Sequence, residues 1–360
     1  MQLIYHMYCN NTGYSISAQD YVLAMRHVKP ELSIKLNYMN LATKTGISPN
    51  RQQLFNTMTK TKDELPQVAL YHCIPQRYRR PRGPSKFVGL CMFETMNPPA
   101  GWIKMMNEMD TIVTGSQFNA RIFKEHGLKI PVYVVPHCFD KKLFNRDVVA
   151  KGRYRQFTFM SIGTWKQRKN WDGLIKAFYD GFESKDNVCL VIKTDKPREL
   201  ESTVLRIKRT CEWRSKDTAS IYPEQKDVCT FEEMPALMKK CDVYVSPTLG
   251  EGFCLPGLHA MALGIPVVIT KYGGVTEYAK AENCTFIEPK GYSTRPTMDG
   301  IPQFNNCIWP ELRIRDIRDA MIKVHDEYPK EKAEIAYKHV HDHFNYDVIG
   351  QKLLKALEIC

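Results

Sequence analysis

The run from Glu251 to Ile269 constrains this chain more than any other part of it. Glu251-Gly252-Phe253-Cys254 is a short loop carrying a carboxylate and a glycine, and Leu255-Pro256-Gly257-Leu258-His259-Ala260-Met261-Ala262 continues as a helix. Leu263-Gly264-Ile265-Pro266-Val267-Val268-Ile269 then leads into a buried strand, and Cys241-Asp242-Val243-Tyr244-Val245-Ser246 upstream reads as the preceding one. Pro256 suits a first helical turn, where its missing N–H would have no partner anyway. The helix therefore starts with backbone N–H groups and a positive dipole end aimed at the loop, which suits an anion. A carboxylate beside an anion site fits a phosphate carrying a hydroxyl-rich group, and a nucleotide-sugar answers that description. Taken alone, Gly252 also fits an ordinary surface turn.

A chain of 360 residues exceeds one typical core and predicts two domains. With 43% hydrophobic and 25% charged residues, its composition is that of a soluble globular protein. No apolar run reaches the about 18 residues of a membrane span, and the start lacks the basic-then-apolar layout of a secretory signal. Twelve cysteines without such a signal point to reduced thiols in a cytoplasm. There is no Cys-x-x-Cys pair, and the Cys and His positions are scattered, which argues against zinc. Nor is there an Asp-x-Asp to hold a metal on a diphosphate. The expectation is metal-independent chemistry with no metal ligands and no cofactor beyond a nucleotide-sugar co-substrate.

Charge is spread unevenly. Residues 1–150 hold 19 Lys and Arg against 10 Asp and Glu, whereas the other 210 hold 32 against 29. The excess concentrates in Arg77-Tyr78-Arg79-Arg80-Pro81-Arg82-Gly83-Pro84-Ser85-Lys86, which its prolines and Gly83 keep out of regular structure. Such a run is either a solvated face or the electrostatic footprint of a polyanion.

Strand and helix signals alternate along the chain. Strands are expected at 3–8, 68–72, 86–90, 109–114 and 131–136, with a loop at 10–15. Helices are expected over 17–28 and from Ser116, as N-cap, through Glu125. A second half opens with a strand at 157–163, a helix at 171–182 and a strand at 188–192. Strands separated by helices predict parallel sheets, and hence an α/β chain of two doubly wound domains, the boundary falling at 144–154. Ligands of such sheets bind at the carboxyl ends of the strands, here in a cleft between facing domains.

The order and spacing of several segments resemble a known family. Ser161-Ile162-Gly163 followed by Arg168-Lys169-Asn170 resembles the loop that neutralises a donor diphosphate. Residues 114–119 through 134–144 resemble the segment that ends an acceptor domain. Phe93-Glu94-Thr95, then Pro98-Pro99 and Trp102, resembles a subgroup with Glu where many relatives keep a catalytic-site His. Phe344 to Leu357 resembles a terminal helix crossing back onto the first domain. With the Glu251 region, these identify the chain as similar to retaining glycosyltransferases of family 4, of GT-B fold and of phage or virus type. The resemblance implies a Rossmann-like acceptor domain over 1–150, joined by the helix at about 344–360. It implies a Rossmann-like donor domain over 151–343.

Two positions depart from the family pattern. The second acidic residue of the signature, a ribose ligand in the family, is His259, which can still hydrogen-bond a hydroxyl but brings no fixed charge. The Gly-Arg pair that often opens the basic loop is Gly163-Thr164, so Lys166 or Arg168 would supply the charge. Both changes bear on the nucleotide, UDP or GDP.

The implied reaction moves a hexosyl or pentosyl group to an acceptor hydroxyl. Lys169, Arg168 and the backbone N–H groups from Gly252 through Phe253 and Cys254 to Leu255 would stabilise the departing diphosphate. Glu251, then Glu94, would accept from sugar hydroxyls. Retention needs no protein nucleophile, since the departing phosphate oxygen takes the proton. Gly163, Lys166 and His259 complete the donor-binding set. Gly13, Tyr14, Arg77, Arg79, Arg80 and Arg82 form the acceptor-binding set, with Tyr78 available for stacking on a base. The expected acceptor is DNA with a hydroxyl-bearing modified base; the alternatives are a membrane lipid or surface polysaccharide, or a non-catalytic nucleotide- or polyanion-binding protein. No obligatory protein partner is inferred.

Overall fold

The computed structural model describes residues 2–10, 12–39, 47–61, 66–150, 152–210, 217–224 and 230–359. Contacts divide the chain into two units. One comprises Met1–Leu143, Val228–Glu233 and His341–Cys360; the other comprises Phe144–Asp227 and Met234–Val340.

The first unit is built on β1 (Gln2–Met7), β2 (Ser33–Tyr38), β3 (Val68–His72), β4 (Lys86–Leu90), β5 (Thr111–Thr114) and β6 (Val132–Val134). They form one sheet in the order β2-β1-β3-β4-β5-β6, and every pairing is parallel. Parallel strands covered on both faces read as continuous apolar runs. Val68-Ala69-Leu70-Tyr71-His72 is such a run and is buried throughout. Helices α1 (Gly13–Val28), α2 (Pro49–Thr59), α3 (Ala100–Met106) and α4 (Gln117–Glu125) connect the strands. The first helix starts inside the stretch expected as loop. The Asn10 side chain accepts from the N–H of Thr12 (3.0 Å), an Asx-type turn that delivers the chain straight into the helix.

In the second unit, β7 (Phe157–Ile162), β8 (Val188–Lys193), β9 (Ser220–Pro223), β10 (Val243–Ser246), β11 (Val267–Thr270) and β12 (Thr285–Ile287) form a parallel sheet ordered β12-β11-β10-β7-β8-β9. Helices α5 (Trp171–Gly181), α6 (Pro197–Thr210), α7 (Met234–Met238), α8 (Leu255–Ala262), α9 (Ile314–Asp326) and α10 (Lys330–His343) accompany it. Phe159, Leu174, Phe178, Leu190, Val243 and Met321 anchor its core. Apart from the sheet stands an antiparallel hairpin, β13 (Gly291–Arg295) with β14 (Cys307–Glu311), which the strand periodicity did not mark.

Helix α11 (Tyr346–Ala356) belongs to the first unit and packs on α1. Gly350 makes the close approach possible, since a Cβ there would meet the carbonyl oxygen of Ala24 and the Val28 side chain. A buried ionic knot fixes the same region. Asp20 accepts from both terminal nitrogens of Arg51 (3.3 Å each) and from the Tyr346 hydroxyl (2.7 Å). Arg51 also reaches Glu232 (3.2 Å) and lies over the Phe231 ring at 4.6 Å. A buried carboxylate needs such partners, because desolvating it alone would cost several kcal/mol.

Gly350→Ala should therefore force α11 off α1 and destabilise the first unit by about 1–3 kcal/mol, as overpacking does. Chemical unfolding followed by fluorescence checks this. An unchanged midpoint would mean that the two helices are not held at this distance.

Candidate functional site

The strand order of the second unit places the candidate donor-site residues. Chain order reverses between β7 and β10, which are neighbours in the sheet, and loops leaving the carboxyl ends of such strands flank the usual binding crevice of an open α/β sheet. After β7 the chain passes Gly163 and makes a single 3-10 turn, Gln167–Lys169. Asn170, in left-handed conformation (φ 58°), then starts α5. After β10 it runs through Pro247 to Cys254 and into α8. The two loops are laced together: Leu249 N–H donates to the Arg168 carbonyl (2.7 Å) and the Asn170 amide to the Pro247 carbonyl (3.1 Å).

On that lacing sits a cluster of charge. Lys169 Nζ lies 2.5 Å from Glu251 Oε1, and Arg168 Nη1 lies 3.2 Å from Glu251 Oε2 and 3.0 Å from the Gly250 carbonyl. Glu251 is 6% exposed. Burial pushes its carboxyl up, but the charges of Lys169 and then Arg168, with their hydrogen bonds, outweigh this and hold it below the ordinary carboxylate value. The lysine stem passes over Gly163, where a Cβ would stand 3.2 Å from Lys169 Cε. Lys166 precedes the turn, and its carbonyl accepts from Lys169 N–H (3.1 Å).

The loop that carries Glu251 is held from behind. Gly273 (φ 79°) and Gly274 press against Glu251 and Gly252 so closely that a Cβ on either would strike their carbonyl oxygens, and Gly274 N–H donates to the Glu251 carbonyl (2.9 Å). Cys254 takes a left-handed conformation (φ 65°) as N-cap of α8 and offers that helix no side-chain hydrogen bond. The Tyr278 hydroxyl fixes the Cys254 carbonyl at 2.9 Å. Burial raises the Cys254 thiol, with Glu251 adding to the effect. Phe253 and Leu255 are buried, and Phe253 packs on the Tyr278 ring at 5.3 Å. The side chains of these residues thus support the loop from within.

His259 is 3% exposed, and its ring stacks on Phe144 at 4.1 Å. A further carboxylate went unnoticed in the sequence. Asp299, in the loop between β13 and β14, accepts from Arg168 N–H (3.1 Å) and faces Arg168 Nε (3.3 Å).

In the first unit, Gly13 opens α1 with open space around its Cα. The Tyr14 hydroxyl donates to the Met92 carbonyl and accepts from Met92 N–H, both at 3.2 Å. Burial raises the Tyr14 phenol well above its usual value, with Cys91 and Glu94 among the groups that add to this, so half-buried Glu94 shares the surroundings of Tyr14. Behind them lies a buried network that the sequence did not reveal. His72 contacts the Tyr5 hydroxyl (2.9 Å) and the Ser17 hydroxyl (3.3 Å), and His137 contacts the Tyr21 hydroxyl (3.0 Å). Burial lowers both imidazoles, His137 to about 3, so they are neutral near pH 7.

The basic run differs from expectation in two ways. Arg77 closes a 3-10 turn, Pro75–Arg77, so the run is not wholly irregular. Tyr78 is not available for stacking on a base: it is 7% exposed, and its ring fills the space left above Gly89 in β4. Arg77 donates to the Met39 carbonyl (3.1 Å) and lies over the Tyr8 ring (5.6 Å). Arg79 donates to the carbonyls of Gln76 (3.0 Å) and Tyr78 (2.7 Å). Arg80 pairs with Asp110 (2.8 Å) and covers the Phe87 ring (4.5 Å). Arg82 is exposed.

Because the Glu251 carboxyl is depressed in the folded state, its pairing stabilises fully above the unfolded carboxylate value of about 4.3 and is lost as pH falls through the lower folded value. The stability difference between native protein and Glu251→Gln should therefore be constant from pH 7 to about 5 and shrink below about 4. Urea unfolding across that range measures it. A difference that persists unchanged to pH 3 would contradict the pairing.

Comparison with known proteins adds the following. Residues 156–294 match the family described as "Glycosyl transferases group 1". A protein of Sulfolobus islandicus rod-shaped virus 1, called uncharacterized protein 356, is 22% identical over 282 residues, which is 76% of each chain. Among solved structures, Anabaena Alr3699/HepE in complex with UDP and glucose aligns at TM-score 0.69 and 13% identity over 100% of both chains. Sucrose-phosphate synthase from Thermosynechococcus elongatus aligns at TM-score 0.68 and 12% identity over 99% of this chain and 98% of that one. The two six-stranded Rossmann-like units are those of the GT-B fold.

Proposed function

We propose that this chain, whose residues 156–294 match the family of group 1 glycosyl transferases, is an enzyme that transfers a sugar from a UDP-linked donor to a hydroxyl acceptor with retention of anomeric configuration. The observation that carries the reading is the cluster of Lys169, Arg168 and Glu251 where chain order reverses, beside the start of α8.

The cluster suits an exchange of partners. Glu251 pairs with both cations, one through each carboxylate oxygen. A diphosphate brings its own negative charge to Lys169, Arg168 and the first N–H groups of α8, and this frees Glu251 to accept from sugar hydroxyls. The bond between the anomeric carbon and the phosphate oxygen then breaks, and the acceptor oxygen bonds that carbon from the same face. The acceptor proton passes to the leaving phosphate oxygen, so the products are UDP and the glycosylated acceptor. Positive groups fixed in advance where that charge grows supply the acceleration. Glu94 in the first unit is proposed as a second hydroxyl acceptor. His259, buried against Phe144, would reach a ribose only through its ring edge. The UDP-bound state of the Anabaena structure favours uridine over guanosine.

Donor hydrolysis tests this directly. Native protein should release UDP from a UDP-sugar, and Lys169→Ala should slow release by roughly a hundredfold or more, the scale of losing one charge-stabilising donor. Activity should survive excess EDTA. Binding of UDP without any release of sugar would favour the alternative of a non-catalytic nucleotide binder, and activity restored only by magnesium or manganese would refute metal independence.

For the acceptor we propose a polyanion, duplex DNA with a hydroxyl-bearing base, because residues 1–150 carry most of the positive excess. A base inside the duplex would have to be flipped out, and Tyr78 cannot receive it. Three of the four loop arginines are already engaged with protein groups, so Arg82 is the favoured phosphate contact. Arg82→Ala should flatten the salt dependence of DNA binding by about 0.9 in log–log slope, equally for all sequences. Strong binding to anionic liposomes with none to DNA would transfer the reading to a lipid or surface glycan.

A further inference from the structure

Asp299 lies beyond the residues that match the glycosyltransferase family, on a hairpin that is not part of the main sheet. Its side chain is nonetheless fully buried, and three contacts join it to the turn that carries the cationic pair. The carboxylate accepts from Arg168 N–H at 3.1 Å and faces Arg168 Nε at 3.3 Å, while Asp299 N–H donates to the Gln167 side chain at 3.1 Å. The turn and the hairpin loop thus grip each other from both sides.

The backbone at this point is unusual as well. Asp299 (φ 60°) and Gly300 (φ 66°) are both left-handed. A non-glycine residue adopts that conformation at a cost, and it persists where surrounding contacts over-determine it. The surrounding contacts here are those to Arg168 and Gln167.

Arg168 is consequently held along its length. Asp299 Oδ1 accepts from its backbone N–H, Asp299 Oδ2 stands 3.3 Å from Nε as an ion pair without a hydrogen bond, and Gly250 and Glu251 accept from Nη1. A guanidinium bonded at Nη1 and drawn at Nε by a fully buried carboxylate is limited in how far it can turn, and a limited orientation is what recognition of a phosphate by forked donors requires. We propose that Asp299 is a positioning residue for the donor diphosphate, acting through Arg168 by orienting its guanidinium. The proposal rests on the donor reading above. It concerns affinity for the diphosphate and assigns Asp299 no contact with the ligand.

The test is calorimetric titration of UDP and UMP against native protein, Asp299→Ala, Asp299→Asn, Arg168→Ala and the double variant, with thermal unfolding of each. Asp299→Ala should weaken UDP about tenfold and UMP by much less, so that the preference for UDP over UMP collapses, a selective loss that a fall in unfolding temperature alone would not produce. Asp299→Asn keeps an oxygen for Arg168 N–H but loses the charge, and it should fall between native and Ala; it also gives the reading if the Ala variant does not fold. In the Arg168→Ala background, removing Asp299 should have no further effect on UDP, because it acts through that side chain. Unchanged or tighter UDP binding by Asp299→Ala overturns the proposal, as relief of repulsion between carboxylate and phosphate would then dominate. Equal weakening of UDP and UMP with a lowered unfolding temperature also overturns it, by assigning Asp299 to folding alone. If the native protein binds no nucleoside diphosphate, the donor reading itself falls and this proposal with it, a result separate from any difference among the variants.

Discussion

The buried contact of Lys169 with Glu251 is the constraint on which the second unit's site depends. Neither charge could be desolvated alone at acceptable cost, so each loop needs the other to fold as it does. The lacing of Leu249 to Arg168 and Asn170 to Pro247 keeps the two loops in register, and at Gly273 and Gly274 the backbone approaches the Glu251 loop too closely for a side chain. Desolvation offsets part of the attraction, so the pair contributes less net stability than its short contacts suggest. What it provides is two cations and a carboxylate held ready at the carboxyl ends of the central strands.

This part of the molecule was legible in the sequence because each element follows local rules. A buried strand, a loop with glycine and charge, and a helix opening on proline leave a pattern in consecutive residues, and both halves of the Lys169–Glu251 pair sit in such patterns. The fold was legible for the same reason: continuous apolar runs spaced by helices permit little besides parallel sheets. Tyr78 was misjudged because its neighbours are arginines, whereas its burial is decided by Gly89, whose missing side chain leaves room for a ring. The adjacent arginines turn back onto carbonyls and Asp110.

Asp299 was illegible for a different reason. Nothing in Met298-Asp299-Gly300 distinguishes a buried ligand of Arg168 from an ordinary Asp-Gly turn, and its partner lies far back in the chain. His72, at the end of β3, and His137, just past β6, are likewise distant in sequence and separated by β4 and β5 in the sheet, yet their rings stack at 6.4 Å. Local pattern reveals elements, while long-range polar pairing becomes visible only once the sheet order is known.

The first unit's core contains α11, packed on α1 through Gly350 and tied by Tyr346 to the buried Asp20. During synthesis that helix emerges only after the whole of the second unit. The first sheet must therefore wait on the ribosome with α1 uncovered and Asp20 lacking the Tyr346 hydroxyl, while the later-made unit can already close its own core. The first unit thus completes its core only with chain made after most of the second unit, so that its folding is tied to the synthesis of its neighbour.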